Sequence, residues 1–152
     1  MPEGSIDPTR EQFKAFMQAS QNTPVQMLNL IRLRAKADYP PNHPFHGRDM
    51  AGLDAYREYG RTVAPILTRV GGRQVWAGRP ELVLIGPSTE RWDLAFIVEY
   101  PNALAFAEMV RDSEYREHTI HRQAAIEDSR VIRLSPFVPG ERFGEERTRE
   151  PR

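Results

Sequence analysis

Apolar and polar residues alternate most regularly between Trp92 and Tyr100, where Trp92, Leu94, Phe96, Val98 and Tyr100 interleave with Asp93, Ala95, Ile97 and Glu99. The centre of this run is apolar on both faces, which predicts a strand covered on both sides. Pro101 brings no N–H to a ladder and ends the strand. Asn102 then caps a helix that turns Leu104, Phe106, Ala107 and Val110 to one side. An earlier run from Val25 to Arg34 reads as a first strand, with Val25, Met27, Asn29, Ile31 and Leu33 on one face and Gln26, Leu28, Leu30 and Arg32 on the other. Asn29 is the odd member, an amide in the middle of an apolar row.

The period changes from about Met50 to Val70. Leu53, Tyr56, Gly60, Val63, Leu67 and Val70 recur at helical spacing and predict one buried face. Pro65 predicts a bend or a lost backbone bond in that helix, and Gly71-Gly72 supplies its stop. Arg73–Gly78 is the second strand, and Leu82–Gly86 either continues it or forms a short strand of its own. Pro87–Glu90 is a hairpin turn into the third strand. Arg111-Asp112-Ser113 forms a joint after the helix that follows Asn102, and a second helical piece runs to about Glu127. Arg130–Ser135 is the fourth strand, and Pro136 closes the unit.

Three segments lie outside this pattern. Residues 1–23 form an N-terminal helical extension with a frayed start. Asp7 is expected as its cap, Pro8 as its first helical residue, Glu11 in its first turn and Phe13, Phe16 and Met17 as its apolar stripe, which ends near Ser20 to Asn22. Residues 35–48 (AKADYPPNHPFHGR) hold three prolines and form an irregular loop, either a functional lid or disordered. Residues 137–152 are charged and poor in apolar residues, a flexible tail or an arm reaching a partner.

Within 24–136 the order is strand, helix, strand, strand, helix, strand. That order predicts an α+β fold: a ferredoxin-like βαββαβ antiparallel sheet with two helices on one face, plus the extra N-terminal helix. The other sheet face also carries large apolar alternates, and one domain has nothing left to cover it. A homodimer closing two sheets into a shared α/β barrel is therefore expected.

Three strings carry a resemblance: Tyr56 to Gly72 (YREYGRTVAPILTRVGG), the strand end Glu99-Tyr100-Pro101, and Ser113 to Ile132. Over roughly residues 25–135 the chain resembles the family numbered 1330 among the domains of unknown function, in the dimeric α/β-barrel superfamily. The resemblance implies the ferredoxin-like fold and a dimer, and it brings no settled activity. The long 35–48 loop and the N-terminal helix depart from that family's pattern.

Charge and composition narrow the partners. Lys plus Arg and Asp plus Glu both total 21, and this balance argues against nucleic acid or an anionic membrane as the main partner. There is no cysteine, so disulfides, thiolate nucleophiles and thiolate metal sites are excluded. Without a long apolar run, a cytoplasmic protein with no membrane span is expected.

The candidate chemistry is thin. His118 and Asn29 are the candidate catalytic residues: a histidine titrates near neutrality, and a buried amide must find a hydrogen-bond partner that a ligand can supply. Arg122 and Tyr115, one turn to either side of His118, are candidate substrate-binding residues, because arginine holds an anionic group. Trp76 and Tyr59 are further candidates for lining a pocket. Arg122 also has a structural reading, as the partner of Asp93 or Glu99. Glu114, His118 and His121 have helical spacing, but His121 is expected to point away from His118, so no metal site is assigned. His43 and His46 are expected to be solvated. No cofactor is expected. Haem degraders of the same superfamily resemble this chain in an asparagine on the first strand, a tryptophan on the third and a histidine on the second helix, here Asn29, Trp92 and His118. Two readings stay open: a cofactor-free enzyme acting on a small carboxylated or aromatic molecule between sheet and helices, and a non-catalytic ligand-binding or interaction protein. A haem-binding or monooxygenase-like protein is a third.

Overall fold

The computed structural model of the chain describes residues 4–19, 21–145 and 147. Its elements in order are α1 (Arg10–Gln18), β1 (Val25–Leu33), α2 (Gly52–Arg69), β2 (Arg73–Gly78), β3 (Leu94–Tyr100), α3 (Ala103–Arg111), α4 (Ser113–Ala125) and β4 (Ile126–Leu134). The strands form a four-stranded sheet in the order β2-β3-β1-β4, with every neighbouring pair antiparallel. This is the ferredoxin-like α+β plan with an added N-terminal helix.

Local chemistry accounts for the element ends. Asn102 caps α3 by accepting from the Ala105 N–H at 2.9 Å. Asp112 ends α3 and caps α4, its carboxylate accepting from the N–H groups of Glu114 and Tyr115. Gly71 stands at φ +87° and the Gly72 N–H returns to the Leu67 carbonyl, which stops α2. Pro65 lies inside α2 on an exposed position.

Four boundaries differ from the sequence reading. The cap of α1 is Thr9, because Thr9 and Gln12 bond each other's backbone N–H in a capping box, and this leaves Asp7 to reach Gln123 and Arg122. Leu82–Gly86 forms no strand: β3 starts only at Leu94, so the segment has no ladder to join, and Leu82, Leu84 and Ile85 stay 74%, 87% and 92% exposed. Trp92 precedes β3 and packs under the guanidinium groups of Arg32 and Arg130. Finally, α4 ends at Ala125 and passes into β4 without a turn, so β4 begins four residues earlier than Arg130.

The loop after β1 is ordered by Tyr39, which is 4% exposed, and by backbone bonds from Arg34, Ala37 and Asp38 to Ala125, Met50 and Ala124. Near the C-terminus Val138 bonds back to Arg147, and Arg147 pairs with Glu141. The rest of the expected tail, residues 146 and 148–152, lies outside the described residues, as do residues 1–3 of the expected frayed start and Ser20 at the expected end of α1.

The core is split in two. Val25, Met27, Val63, Ile66, Tyr100 and Met109 form one cluster, and Ile31, Tyr39, Ala55, Ala124 and Ile126 the other. Along β1 the break between them falls at Asn29.

Candidate functional site

A cavity of about 1280 Å³ lies against the first core cluster, with the sheet as its floor and the helices as its roof. Its floor is a cross-strand row of Phe96, Asn29 and Val131, which stand opposite one another in register. Both neighbours of Asn29 on its face, Met27 and Ile31, are buried in opposite clusters. The Asn29 amide donates one N–H to the Met27 carbonyl at 3.0 Å, which leaves its oxygen and its second N–H to meet a ligand.

The roof carries tyrosines and an arginine. Tyr56 and Tyr59 come from α2, and Tyr115 and Arg122 from α4. The spacing of Tyr115 and Arg122 brings them within about 20° of each other around a helix of 3.6 residues per turn. The Tyr59 and Tyr115 hydroxyls are 2.8 Å apart, and the Tyr56 and Tyr59 rings are 5.6 Å apart. Burial pushes the Tyr56 phenol up to about 12 and that of Tyr59 well above its ordinary value, while Tyr115 rises less because Tyr59 and Arg122 pull it back. These phenols therefore stay protonated at neutral pH and act as hydrogen-bond donors rather than bases.

An N-terminal strap forms one side of the cavity. Ser5, Ile6, Asp7, Phe13 and Phe16 all line the cavity. Arg122 donates to the Ile6 carbonyl and stands 3.7 Å from the Asp7 carboxylate, and its side chain is only 13% exposed. Arg133 donates to the Phe16 carbonyl at 2.8 Å, with its guanidinium 4.8 Å from the Phe16 ring centre. Burial lowers the Arg133 pKa. The expected pairing of Arg122 with Asp93 or Glu99 is not seen: Asp93 bonds Arg91 and the Leu33 N–H, while Glu99 bonds Arg73 and Gln26.

The model that describes a Domain of unknown function (DUF1330) matches residues 47–133. The chain belongs to this family. Two solved structures of RPA0582, a protein of unknown function from Rhodopseudomonas palustris, are each 51% identical to it. The methylated form superposes with a TM-score of 0.85 over 92% of this chain and 100% of its own, and the other form with 0.82 over 90% and 99%. A dimeric protein of unknown function and ferredoxin-like fold from Bacteroides fragilis is 14% identical, with a TM-score of 0.44 over 76% of this chain and 98% of its own. No curated protein matches the chain. The DUF1330 span contains the roof residues Tyr56, Tyr59, Tyr115 and Arg122, whereas Asn29, the strap and most of the proline-rich loop precede it.

Of the residues singled out from sequence, Asn29, Tyr59, Tyr115 and Arg122 meet in the cavity, and His118 and Trp76 lie elsewhere. His118 is offset from Tyr115 by about 60° around α4, enough to carry it out of the cavity wall. Its ring stacks on His121, with centroids 6.2 Å apart and planes 17° apart. His121 was expected to point away from His118, yet residues three apart on a helix are neighbours. The His121 Nδ1 lies 2.7 Å from the Tyr39 hydroxyl, and the His43 ring stacks on Tyr39 at 4.6 Å, so His43 is half-buried rather than solvated. His46 is exposed, with its Nδ1 bonded to the Tyr39 carbonyl. Among the described residues, no group of three His, Cys, Asp or Glu side chains is placed to hold a metal ion, and no helix is long and apolar enough to cross a membrane.

Trp76 belongs to the opposite sheet face and is 51% exposed. The haem-degrader arrangement does not fit, because Trp92 and His118 are both absent from the cavity wall that holds Asn29. Sequence reasoning missed the part played by Tyr56 and by the strap. The adjacent Tyr59 and the turn-spaced Tyr115 were the available signal for Tyr56. Nothing in the local pattern of residues 5–7 announces a contact with Arg122.

Proposed function

We propose that the protein binds a small amphipathic carboxylate, aromatic or short-chain, in the cavity between sheet and helices. The observation that carries this reading is Arg122, a nearly buried guanidinium in an otherwise largely apolar wall. In this reading Phe96, Val98, Phe106 and Val63, all on the cavity wall, surround the apolar body of such a ligand. Arg122 pairs with the carboxylate, and the phenol donors of Tyr56 and the Tyr59–Tyr115 pair, with the Asn29 oxygen, fix the polar end. The Ile6 carbonyl and Asp7 carboxylate now meet the guanidinium, and the ligand replaces them.

Calorimetric titration with aryl and short-chain alkyl carboxylates, against the matching neutral amides, tests this. The carboxylates are expected to bind and the amides to bind weakly. Arg122→Gln should lose about tenfold or more in affinity, the scale of a charge-assisted hydrogen bond. Asp7→Asn removes the competing carboxylate and should bind more tightly. Equal binding of amide and carboxylate by the unaltered protein would sink the reading.

A second reading, a cofactor-free enzyme, draws on the Tyr59–Tyr115 pair beside Arg122. Two protonated phenols next to a cation can polarise a carbonyl and hold the charge that develops on its oxygen. His118 has no part in this version. We further propose that the protein is a homodimer through the open sheet face, where Trp76, Ile97, Leu28 and Ile132 stand in one row across all four strands.

A further inference from the structure

We infer that the cleft beneath the proline-rich loop binds a phosphoryl dianion, either inorganic phosphate or the phosphate of a small monoester. The cleft encloses about 350 Å³ and is separate from the cavity above. Arg34, Lys36, Arg48 and His46 line it, and Asp38 is the one carboxylate on its wall. The three Arg and Lys side chains against one carboxylate leave an excess of two positive charges, which matches a dianion better than a monoanion.

Many cations of this chain are held by acidic partners, and these three are not. Arg32, Arg69, Arg73, Arg91, Arg122 and Arg130 each stand within 4.0 Å of a carboxylate. Arg34, Lys36 and Arg48 form no such pair among the described residues. The Nε of Arg34 is also buried without a hydrogen-bond partner.

The groups are held in place before any ligand arrives. Lys36 lies in a bridge with Ala51, and the Arg34 and Asp38 N–H groups bond to the last carbonyls of α4. Gly47 adopts φ +80°, a left-handed turn that suits glycine and returns the chain toward Phe45. The Arg48 guanidinium then rests 4.2 Å from the centre of the Phe45 ring. Such bracing reduces the freedom that the side chain loses on binding. The His46 Nδ1 lies 2.8 Å from the Tyr39 carbonyl, which can only accept, so Nδ1 carries the proton. Its Nε2 is left to accept from the hydroxyl that inorganic phosphate keeps as a dianion, a contact that a monoester dianion does not make.

The test is a two-dimensional NMR titration of the full chain at constant ionic strength, with inorganic phosphate, phenyl phosphate and benzoate in turn. Saturable shifts of the Lys36, Gly47 and Arg48 amides with the phosphates are expected. Tighter binding of phosphate identifies the free ion as the ligand, and tighter binding of phenyl phosphate identifies a monoester. Arg48→Ala and Lys36→Gln should each weaken binding about tenfold. Both side chains are at the surface, and if one variant fails to fold the other still decides. The inference is overturned if neither phosphate saturates, if benzoate moves the same amides as strongly, or if folded variants bind like the unaltered protein.

Discussion

At the residue scale, the polar groups that matter are those whose position breaks an apolar pattern. Asn29 interrupts the inward row of β1 where the core divides, and Arg122 stands beside three phenols under a strap carbonyl. His121 is a different kind of exception. Burial holds its imidazole below the ordinary pKa, with His43, His118 and Arg61 adding to that effect and Glu58 opposing it. The unfolded chain therefore binds this proton more readily than the folded one. The contribution of His121 to stability is complete above about pH 6.5 and falls as the pH drops through that value toward the lower folded pKa. Melting curves at neutral and mildly acidic pH should show this loss, and His121→Gln should show a smaller one. An unchanged pH dependence in the variant would mean that His121 is not the group responsible. That His121 would be buried was not legible in sequence, because its partner Tyr39 is 82 residues away.

At the element scale, caps and stops were largely readable because they depend on neighbours within a turn. Asn102 caps α3, Asp112 joins α3 to α4, and Gly71-Gly72 ends α2. Asn102→Ala removes the acceptor for the Ala105 N–H and should cost about 1 kcal/mol, seen as a melting temperature lower by a few degrees. Strand ends were less readable because pairing is not local. Trp92 has the alternation of a strand residue, yet the ladder closes at Leu94. Leu82–Gly86 is apolar enough for a strand but has no partner edge.

At the scale of the whole molecule, the two sheet faces have different roles in the reading proposed above. The inner face carries the cavity. The outer face carries the row Trp76–Ile97–Leu28–Ile132, flanked by the Arg73–Glu99 pair, and Trp76 and Ile132 are 51% and 46% exposed in the single chain. If two copies close over this row, a lysine at its centre is buried without a partner and separates them. Light scattering on Ile97→Lys should give half the mass of the unaltered protein, with the far-ultraviolet spectrum retained. A single-chain mass for the unaltered protein would dispose of the dimer.

Sequence by itself determined the order of elements, the ferredoxin-like plan and most helix ends, since these follow from periodicity, proline, glycine and capping chemistry acting over a few residues. It also marked Asn29, because a polar residue in an apolar row is visible without a fold. Only the tertiary structure decided which polar groups share a cavity. Tyr115 and Arg122 turn inward while His118, between them in sequence, does not. The strap that meets Arg122 and the loop that buries Tyr39 arrive from distant parts of the chain. Such contacts depend on how elements pack against one another, and no local pattern of residues encodes that.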